Sequence, residues 1–272
     1  MSEITWTQQR MLEQYFAQSI KHFPGKPVVL SEGDSWFSFP GHANTIDWLD
    51  ELTHHNMSLL RLESSGDTLA RMTTGPERAE LQHLMTIYPI DVLLFSGGGN
   101  DVVGPELQNL FDKVPAGADW RNFIRKKAMD GQFDFIANRY HSLADLRDTT
   151  RKNCWIVTHG YDYARPSGHP TKYWLWPIPL NVTVGPWIKN NLMKINITDD
   201  ATQTEVGHYL IDRFNETLAK VAAAHANYAF IDNRKTLGDN EWNDELHPTR
   251  DGFGKIARSF LKVLKEKLPD KF

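Results

Sequence analysis

The stretch that decides the fold is VVLSEGDSWF, residues 28–37. A short, continuous apolar run is typical of a strand buried within a sheet, so the sequence predicts a strand over residues 27–32. The run ends in Gly-Asp-Ser, which aromatic residues follow. The stretch therefore predicts that Ser35 lies at the rim of a β-sheet.

Outward from this stretch, strands alternate with helices. The other predicted strands cover residues 57–63, 90–96, 153–158 and 228–231. The predicted helices cover residues 5–22, 44–55 (with Asn44 as N-cap), 76–88, 119–150 in the main, 201–225 and 250–267. This alternation predicts an α/β fold with a parallel sheet, covered on both faces and joined by right-handed crossovers.

One segment interrupts the alternation. Residues 161–200 hold five prolines and three tryptophans and show little periodicity. We interpret this segment as an insertion over the functional site. Because no linker divides the 272-residue chain, a single domain over residues 1–272 is expected.

Residues able to do chemistry follow several predicted strands. Ser35, Gly66, Asn100 and His159 each come after one, and His247 follows the last strand at a longer distance. Ligands of parallel α/β sheets bind beyond the carboxyl ends of the strands. The sequence therefore predicts that these residues share one rim of the sheet.

The pattern DELH, residues 244–247, could activate the serine. A serine hydroxyl is a weak nucleophile until a base takes its proton, and His247 is the natural base. Asp244 lies three residues earlier and could orient the imidazole. Taken alone, this spacing is also typical of an aspartate that caps a turn before the last helix.

Acyl transfer also needs hydrogen-bond donors for the oxyanion. The backbone N–H groups of Ser35 and Gly66 and the side-chain amide of Asn100 could supply them. Gly66, and the glycines at 97–99, could instead serve only as turns between strand and helix. The glycines at 97–99 lack the spacing of a dinucleotide-binding motif.

Together, and in this order, the motifs resemble the SGNH hydrolase family, also called GDSL esterases and lipases. The resemblance covers about residues 27–104 and 240–265. It implies a flavodoxin-like three-layer α/β/α fold with a five-stranded parallel sheet, no required metal or other cofactor, and hydrolysis of carboxylic esters. Two departures are Trp36, where many members have leucine, and Arg61 and Glu63 before the turn at Gly66.

The resemblance assigns a role to each matching residue. It implies that Ser35 is the nucleophile, His247 the general base and Asp244 the acid that orients it. It implies that Ser35, Gly66 and Asn100 form the oxyanion hole.

Four further residues are candidates for contact with the substrate. His159 ends the fourth strand and could face the pocket, although a histidine held within a turn is the alternative. Trp174, Trp176 and Trp187 could form an apolar wall for an acyl or sugar group, or could simply pack the insertion onto the sheet.

The leading hypothesis is a serine esterase that acts on small or short-chain esters, with acetylated sugars and lipid esters left open. A metal-dependent phosphoesterase is one alternative, because Asp34, Asn100, Asp101, His159 and His247 offer oxygen and nitrogen ligands. A carbohydrate- or acyl-binding module without turnover is another. Sensitivity to a chelator and labelling of the serine would separate the three.

Composition narrows the choice of partners. The chain has 30 basic and 34 acidic residues and no long basic run, so nucleic acid is not an expected partner. The single cysteine, Cys154, excludes an intrachain disulfide. No signal peptide and no transmembrane segment are predicted, so a cytoplasmic location is expected. The expected partner is a small-molecule ester substrate. The oligomeric state is not predicted.

Overall fold

A parallel β-sheet forms the centre of the molecule. The computed structural model describes residues 6–39, 41, 43–175 and 180–272, and only the backbone of residues 6–9, 172–175 and 180–182. The strands in this part of the chain are β1 (Val28–Gly33), β2 (Ser58–Arg61), β3 (Val92–Ser96), β4 (Trp155–His159), β5 (Thr171–Leu175), β6 (Leu180–Val184) and β7 (Tyr228–Ile231). Five of them form one sheet in the order β2-β1-β3-β4-β7, with every neighbouring pair parallel.

Helices cover both faces of this sheet. They are α1 (Trp6–His22), α2 (Thr45–Leu52), α3 (Leu69–Met72), α4 (Gly75–Ile87), α5 (Gly99–Val102), α6 (Lys126–Thr150), α7 (Lys189–Lys194), α8 (Asp200–Ala223) and α9 (Arg250–Lys267). Helix α2 packs against α9, whereas α6 packs against both α4 and α8. The strand order and the two helical layers match the flavodoxin-like arrangement, which confirms the predicted α/β fold.

The central strands β1 and β3 are largely apolar. Every residue of β1 and of β3 is buried, as expected where helices cover both sides of a parallel sheet. Strand β1 pairs with β2 on one side and with β3 on the other. The carboxyl end of β1 therefore lies between those of β2 and β3, and the loop that carries Ser35 begins there.

The start of α2 follows the capping rule predicted for it. The side-chain oxygen of Asn44 accepts hydrogen bonds from the backbone N–H groups of Ile46 and Asp47, and Asp47 accepts one in return from the N–H of Asn44. This reciprocal pair satisfies backbone donors that a helix start otherwise leaves free. The predicted N-cap is therefore confirmed.

The predicted helix over residues 119–150 begins later than expected. A 3-10 turn, Trp120–Phe123, comes first, and α6 starts only at Lys126. Between them Ile124 pairs with Phe111 in an isolated bridge, and the N–H of Arg125 donates to the carbonyl of Leu110 at 2.9 Å. These extended backbone contacts exclude a helical conformation at this point.

The segment 161–200 contains regular structure that the sequence pattern did not predict. Strands β5 and β6 form an antiparallel hairpin, and α7 follows. None of the helices in the described ranges is long and apolar enough to cross a membrane.

Candidate active site

Ser35 lies in a tight turn directly after β1, and its neighbour Asp34 holds that turn. One carboxylate oxygen of Asp34 accepts the N–H of Trp36 at 3.0 Å and the hydroxyl of Ser96 at 2.8 Å. The other oxygen accepts the hydroxyl of Tyr161. At Gly33, a Cβ atom would come within 2.8 Å of the carbonyl oxygen of Ser96, so glycine is required where the turn leaves the sheet.

The loop after β7 brings His247 to this serine. The Nε2 atom of His247 lies 2.8 Å from the Oγ of Ser35, and its Nδ1 lies 2.9 Å from the Oδ2 of Asp244. All three side chains are buried. The hydroxyl, the imidazole and the carboxylate therefore stand in one hydrogen-bonded line, although Ser35 and His247 lie 212 positions apart in the chain.

Asp244 is held as an ionised acceptor. The backbone N–H groups of Leu246 and His247 both donate to its Oδ1 at 2.8 Å. Burial raises the pKa of Asp244, but the hydrogen bond and charge of His247 and these two amides outweigh it and keep the pKa below its ordinary value. A carboxylate facing Nδ1 keeps the proton on that nitrogen and leaves Nε2 free to accept one.

Aromatic rings surround the imidazole. The ring of Phe39 stacks on His247 with centroids 4.2 Å apart and planes 18° apart. The ring of Trp187 meets it edge-on at 5.4 Å. The indole N–H of Trp36 donates to the carbonyl of Leu246 at 3.1 Å, which joins the serine turn to the histidine loop. These contacts restrict the imidazole to one orientation.

Two loops carry the other predicted oxyanion donors. Gly66 lies between β2 and α3 with φ of +88°, a left-handed conformation that glycine adopts without strain. The Nδ2 of Asn100 donates to the carbonyl of Asp67 at 2.8 Å, which places its amide beside the Gly66 loop. An amide nitrogen carries two protons, so one remains to donate elsewhere. The role of both residues in an oxyanion hole stays a prediction.

Two carboxyl groups beside these loops have shifted pKa values. Burial raises the pKa of Asp67 to about 6 and the pKa of Asp101 to about 6. The Oδ2 of Asp101 accepts the N–H of Leu69 at 2.9 Å. Protonation of Asp101 would weaken this hydrogen bond to the backbone that follows Gly66.

The prediction that His159 contacts the substrate is wrong. Its ring is fully buried, 2.9 Å from the Oγ of Ser96 and 3.0 Å from the carbonyl of Gly160. It stacks against Trp36 and Phe37. The end of β4 thus directs this side chain into the core beneath the serine turn, and burial lowers the pKa of His159 to about 4.

This burial predicts a dependence of stability on pH. The neutral His159 of the folded state resists protonation until about pH 4, whereas an unfolded histidine takes a proton near 6.5. As the pH is lowered from about 6.5 to about 4, His159 should therefore lower the free energy of unfolding by about 1.4 kcal/mol per pH unit. Replacing His159 with glutamine should remove about 2 kcal/mol of the loss between pH 7 and pH 5.

Denaturant unfolding at the two pH values measures this difference. The exposed His83, changed to glutamine, is the matched control and should keep the wild-type slope. Asp67 and Asp101 have raised pKa values in the folded state, so they increase the free energy of unfolding as the pH falls. Their contribution is the same in the wild type and in both variants, so it cancels when the slopes are compared. An unchanged slope in His159→Gln would contradict the assignment of a buried neutral ring.

The three tryptophans have different outcomes. Trp187 packs against His247, as described above. The backbone of Trp174 belongs to β5, but its side chain lies outside the described part of the chain, and Trp176 lies wholly outside it. Contact of these three tryptophans with a substrate stays a prediction.

Two residues that join the insertion to the triad were not found from the sequence. The hydroxyl of Thr171, in β5, donates to Oδ2 of Asp244. Glu245 is fully buried, and its carboxylate accepts N–H groups from Gly168 at 3.0 Å, Ile188 at 2.7 Å and Lys189 at 3.1 Å. The base of the 161–200 segment is therefore part of the support for the histidine loop.

The ligands needed for a metallophosphoesterase do not converge. Within the described ranges, no group of three or more histidine, cysteine, aspartate or glutamate side chains is placed to hold a metal ion. The oxygens of Asp34 and the nitrogens of His159 are engaged with Trp36, Ser96, Tyr161 and the backbone instead.

Comparisons with known proteins agree with this architecture. The sequence matches no protein-family model and no curated protein sequence. By structure, the chain is similar to a protein described as a GDSL-like lipase from Parabacteroides merdae (TM-score 0.55, 13% identity, 90% of this chain and 97% of that one). It is also similar to one described as an SGNH hydrolase from Slackia heliotrinireducens (0.55, 14%, 88% and 99%).

A third similar structure is an extracellular lipase from Streptomyces rimosus (TM-score 0.53, 15% identity, 89% of this chain and 99% of that one). The similarity extends over nearly the whole of each chain. The protein therefore has the SGNH hydrolase fold, which confirms the fold that the sequence resemblance implied.

Proposed function

We propose that this protein is a serine ester hydrolase that works through an acyl-enzyme intermediate. The observation that carries the proposal is the buried line from the Oγ of Ser35 to Nε2 of His247, 2.8 Å, and from Nδ1 to Asp244, 2.9 Å. An imidazole in hydrogen-bond contact with both groups can take the proton of the serine and be stabilised as an imidazolium. The lipases and the hydrolase to which the chain is structurally similar support the same class of reaction, the hydrolysis of esters.

The acylation step follows from this geometry. The Oγ of Ser35 attacks the ester carbonyl carbon while its proton passes to Nε2 of His247. The negative charge on the carbonyl oxygen receives hydrogen bonds from the N–H groups of Ser35 and Gly66 and from the amide of Asn100. When this tetrahedral intermediate collapses, the bond between the acyl carbon and the alcohol oxygen breaks. The alcohol leaves with the proton from His247, and the acyl group remains on Ser35.

Water then repeats the sequence. It gives a proton to His247 as it attacks the acyl carbon, and the second collapse returns that proton to the Oγ of Ser35 and releases the carboxylic acid. Asp244 stays ionised throughout and stabilises the imidazolium in both steps. We further propose a small or short-chain ester as the substrate, since aromatic side chains already pack closely around the imidazole.

Covalent labelling tests the proposal. A fluorophosphonate probe should react with the wild-type protein at Ser35, located by mass spectrometry of the labelled peptide, because only an activated serine attacks the phosphorus centre at a useful rate. The variant Ser35→Ala should not be labelled. A wild-type protein that does not react would favour the binding module, whereas one that reacts equally well without Ser35 would show that Ser35 is not the nucleophile.

A further inference from the structure

A small apolar cavity lies beside Gly99 and Tyr161. It has a volume of about 30 Å³. Its walls come from the segment that follows Asn100, from the residue before α7 and from one face of α8, and include Val103, Leu107, Ile188, Leu210, Ile211 and Phe214. A cavity with such walls favours hydrocarbon over water, because it offers a water molecule too few polar partners.

Three of the wall residues adjoin the proposed machinery. Gly99 precedes Asn100 in the chain, and its N–H donates to the hydroxyl of Tyr161 at 3.2 Å. The same hydroxyl donates to Asp34, the neighbour of Ser35. Ile188 follows Trp187, whose ring packs against His247. The cavity therefore touches Tyr161, which holds the serine turn through Asp34, and the chain neighbours of Asn100 and Trp187.

We propose that this cavity receives the end of the acyl chain of the substrate and thereby limits its length. The inference rests on the proposed esterase function. The cavity volume of about 30 Å³ is two to three times the roughly 10–15 Å³ that one water-sized group needs, so it has room for a few carbon atoms and not for a long chain. This makes the substrate a short-chain acyl ester, with the acyl group directed towards α8.

The wild-type chain-length profile is the first expected result. Each methylene that enters an apolar site should raise kcat/KM by about fourfold, because its transfer from water is favourable. For p-nitrophenyl esters, kcat/KM should therefore rise from acetate to butyrate and fall at hexanoate, once the cavity is filled.

Enlarging the cavity should shift this profile. Leu210 is buried on α8 and lines the cavity, and Leu210→Ala removes its isopropyl group. The ratio of kcat/KM for hexanoate to that for acetate should rise on the order of 10-fold, as two more methylenes find room. Leu218→Ala is the matched control: Leu218 is buried on the same helix but does not line the cavity, and that variant should keep the wild-type order.

A second variant narrows the cavity without loss of packing. Gly207 lines the cavity from α8, and a Cβ there would lie 3.6 Å from the carbonyl oxygen of Ala164 and 3.9 Å from Pro166, which are ordinary contacts. Gly207→Ala should therefore fold, since alanine also favours the helix, and should lower kcat/KM for butyrate relative to acetate. This variant decides the question if Leu210→Ala does not fold.

The outcomes separate the cavity from the chemistry. If hydrolysis depends on Ser35 but Leu210→Ala and Gly207→Ala keep the wild-type order of chain lengths, the cavity is not the acyl site and the esterase proposal stands. If the wild-type protein hydrolyses none of the esters, both proposals fall. A preference for longer chains in Leu210→Ala and for shorter chains in Gly207→Ala, with the wild-type order kept in Leu218→Ala, would support the cavity as the acyl site.

Discussion

Replacing Ser35 with alanine is expected to lower kcat for a short p-nitrophenyl ester by about 10⁴-fold or more. The change removes the hydroxyl oxygen that lies 2.8 Å from Nε2 of His247, so the reaction loses its covalent intermediate. KM should change little, because the methyl group that remains occupies no new space. A residual rate above the uncatalysed one is expected from the oxyanion donors and from substrate binding alone.

Ser38 provides the matched control. It lies in the same turn, with its backbone N–H donating to the carbonyl of Asp34 at 3.0 Å, but its side chain belongs to no part of the triad. Ser38→Ala should keep nearly full kcat. Near-normal turnover in Ser35→Ala, with folding confirmed by circular dichroism, would remove the nucleophile from the proposed mechanism.

The parts of the structure that could be predicted are those with local sequence signals. Strands β1 and β3 are buried on both faces, so they stand out as apolar runs between helices. The spacing of Asp244 and His247 is equally local, because the aspartate accepts backbone N–H groups two and three residues ahead. A spacing of three residues therefore lets one aspartate hold both the loop and the imidazole.

The parts that could not be predicted depend on distant partners. Glu245 looks like an ordinary charged residue, and only N–H groups 56, 57 and 77 positions away make its burial possible. The contact from Thr171 to Asp244 spans 73 positions. The prediction for His159 was wrong for a related reason. The strand pattern places the residue at the rim of the sheet, but it does not show that the side chain contacts Ser96 and two aromatic rings in the core.

Replacing Asp244 with asparagine is expected to lower kcat by about 10³- to 10⁴-fold while the fold is kept. The carboxylate now accepts from Nδ1 of His247, from two backbone N–H groups and from the hydroxyl of Thr171. An amide has only one acceptor oxygen. If that oxygen keeps the hydrogen bonds from the backbone, the NH₂ group of the asparagine faces Nδ1. The proton of the imidazole then moves to Nε2, and Nε2 can no longer accept the proton of Ser35.

The measurement is kcat and KM at pH 7.5 for wild type, Asp244→Asn and a matched exposed variant, Asp251→Asn in the first turn of α9. KM should stay within a few-fold in all three, and the rate of fluorophosphonate labelling should fall in parallel with kcat in Asp244→Asn only, because both reactions need the same activated oxygen. A tautomer effect predicts this parallel loss, whereas damage to substrate binding would raise KM and leave labelling unchanged. Retention of more than about a tenth of kcat in Asp244→Asn would mean that Thr171 and the backbone amides, rather than the charge, orient the imidazole.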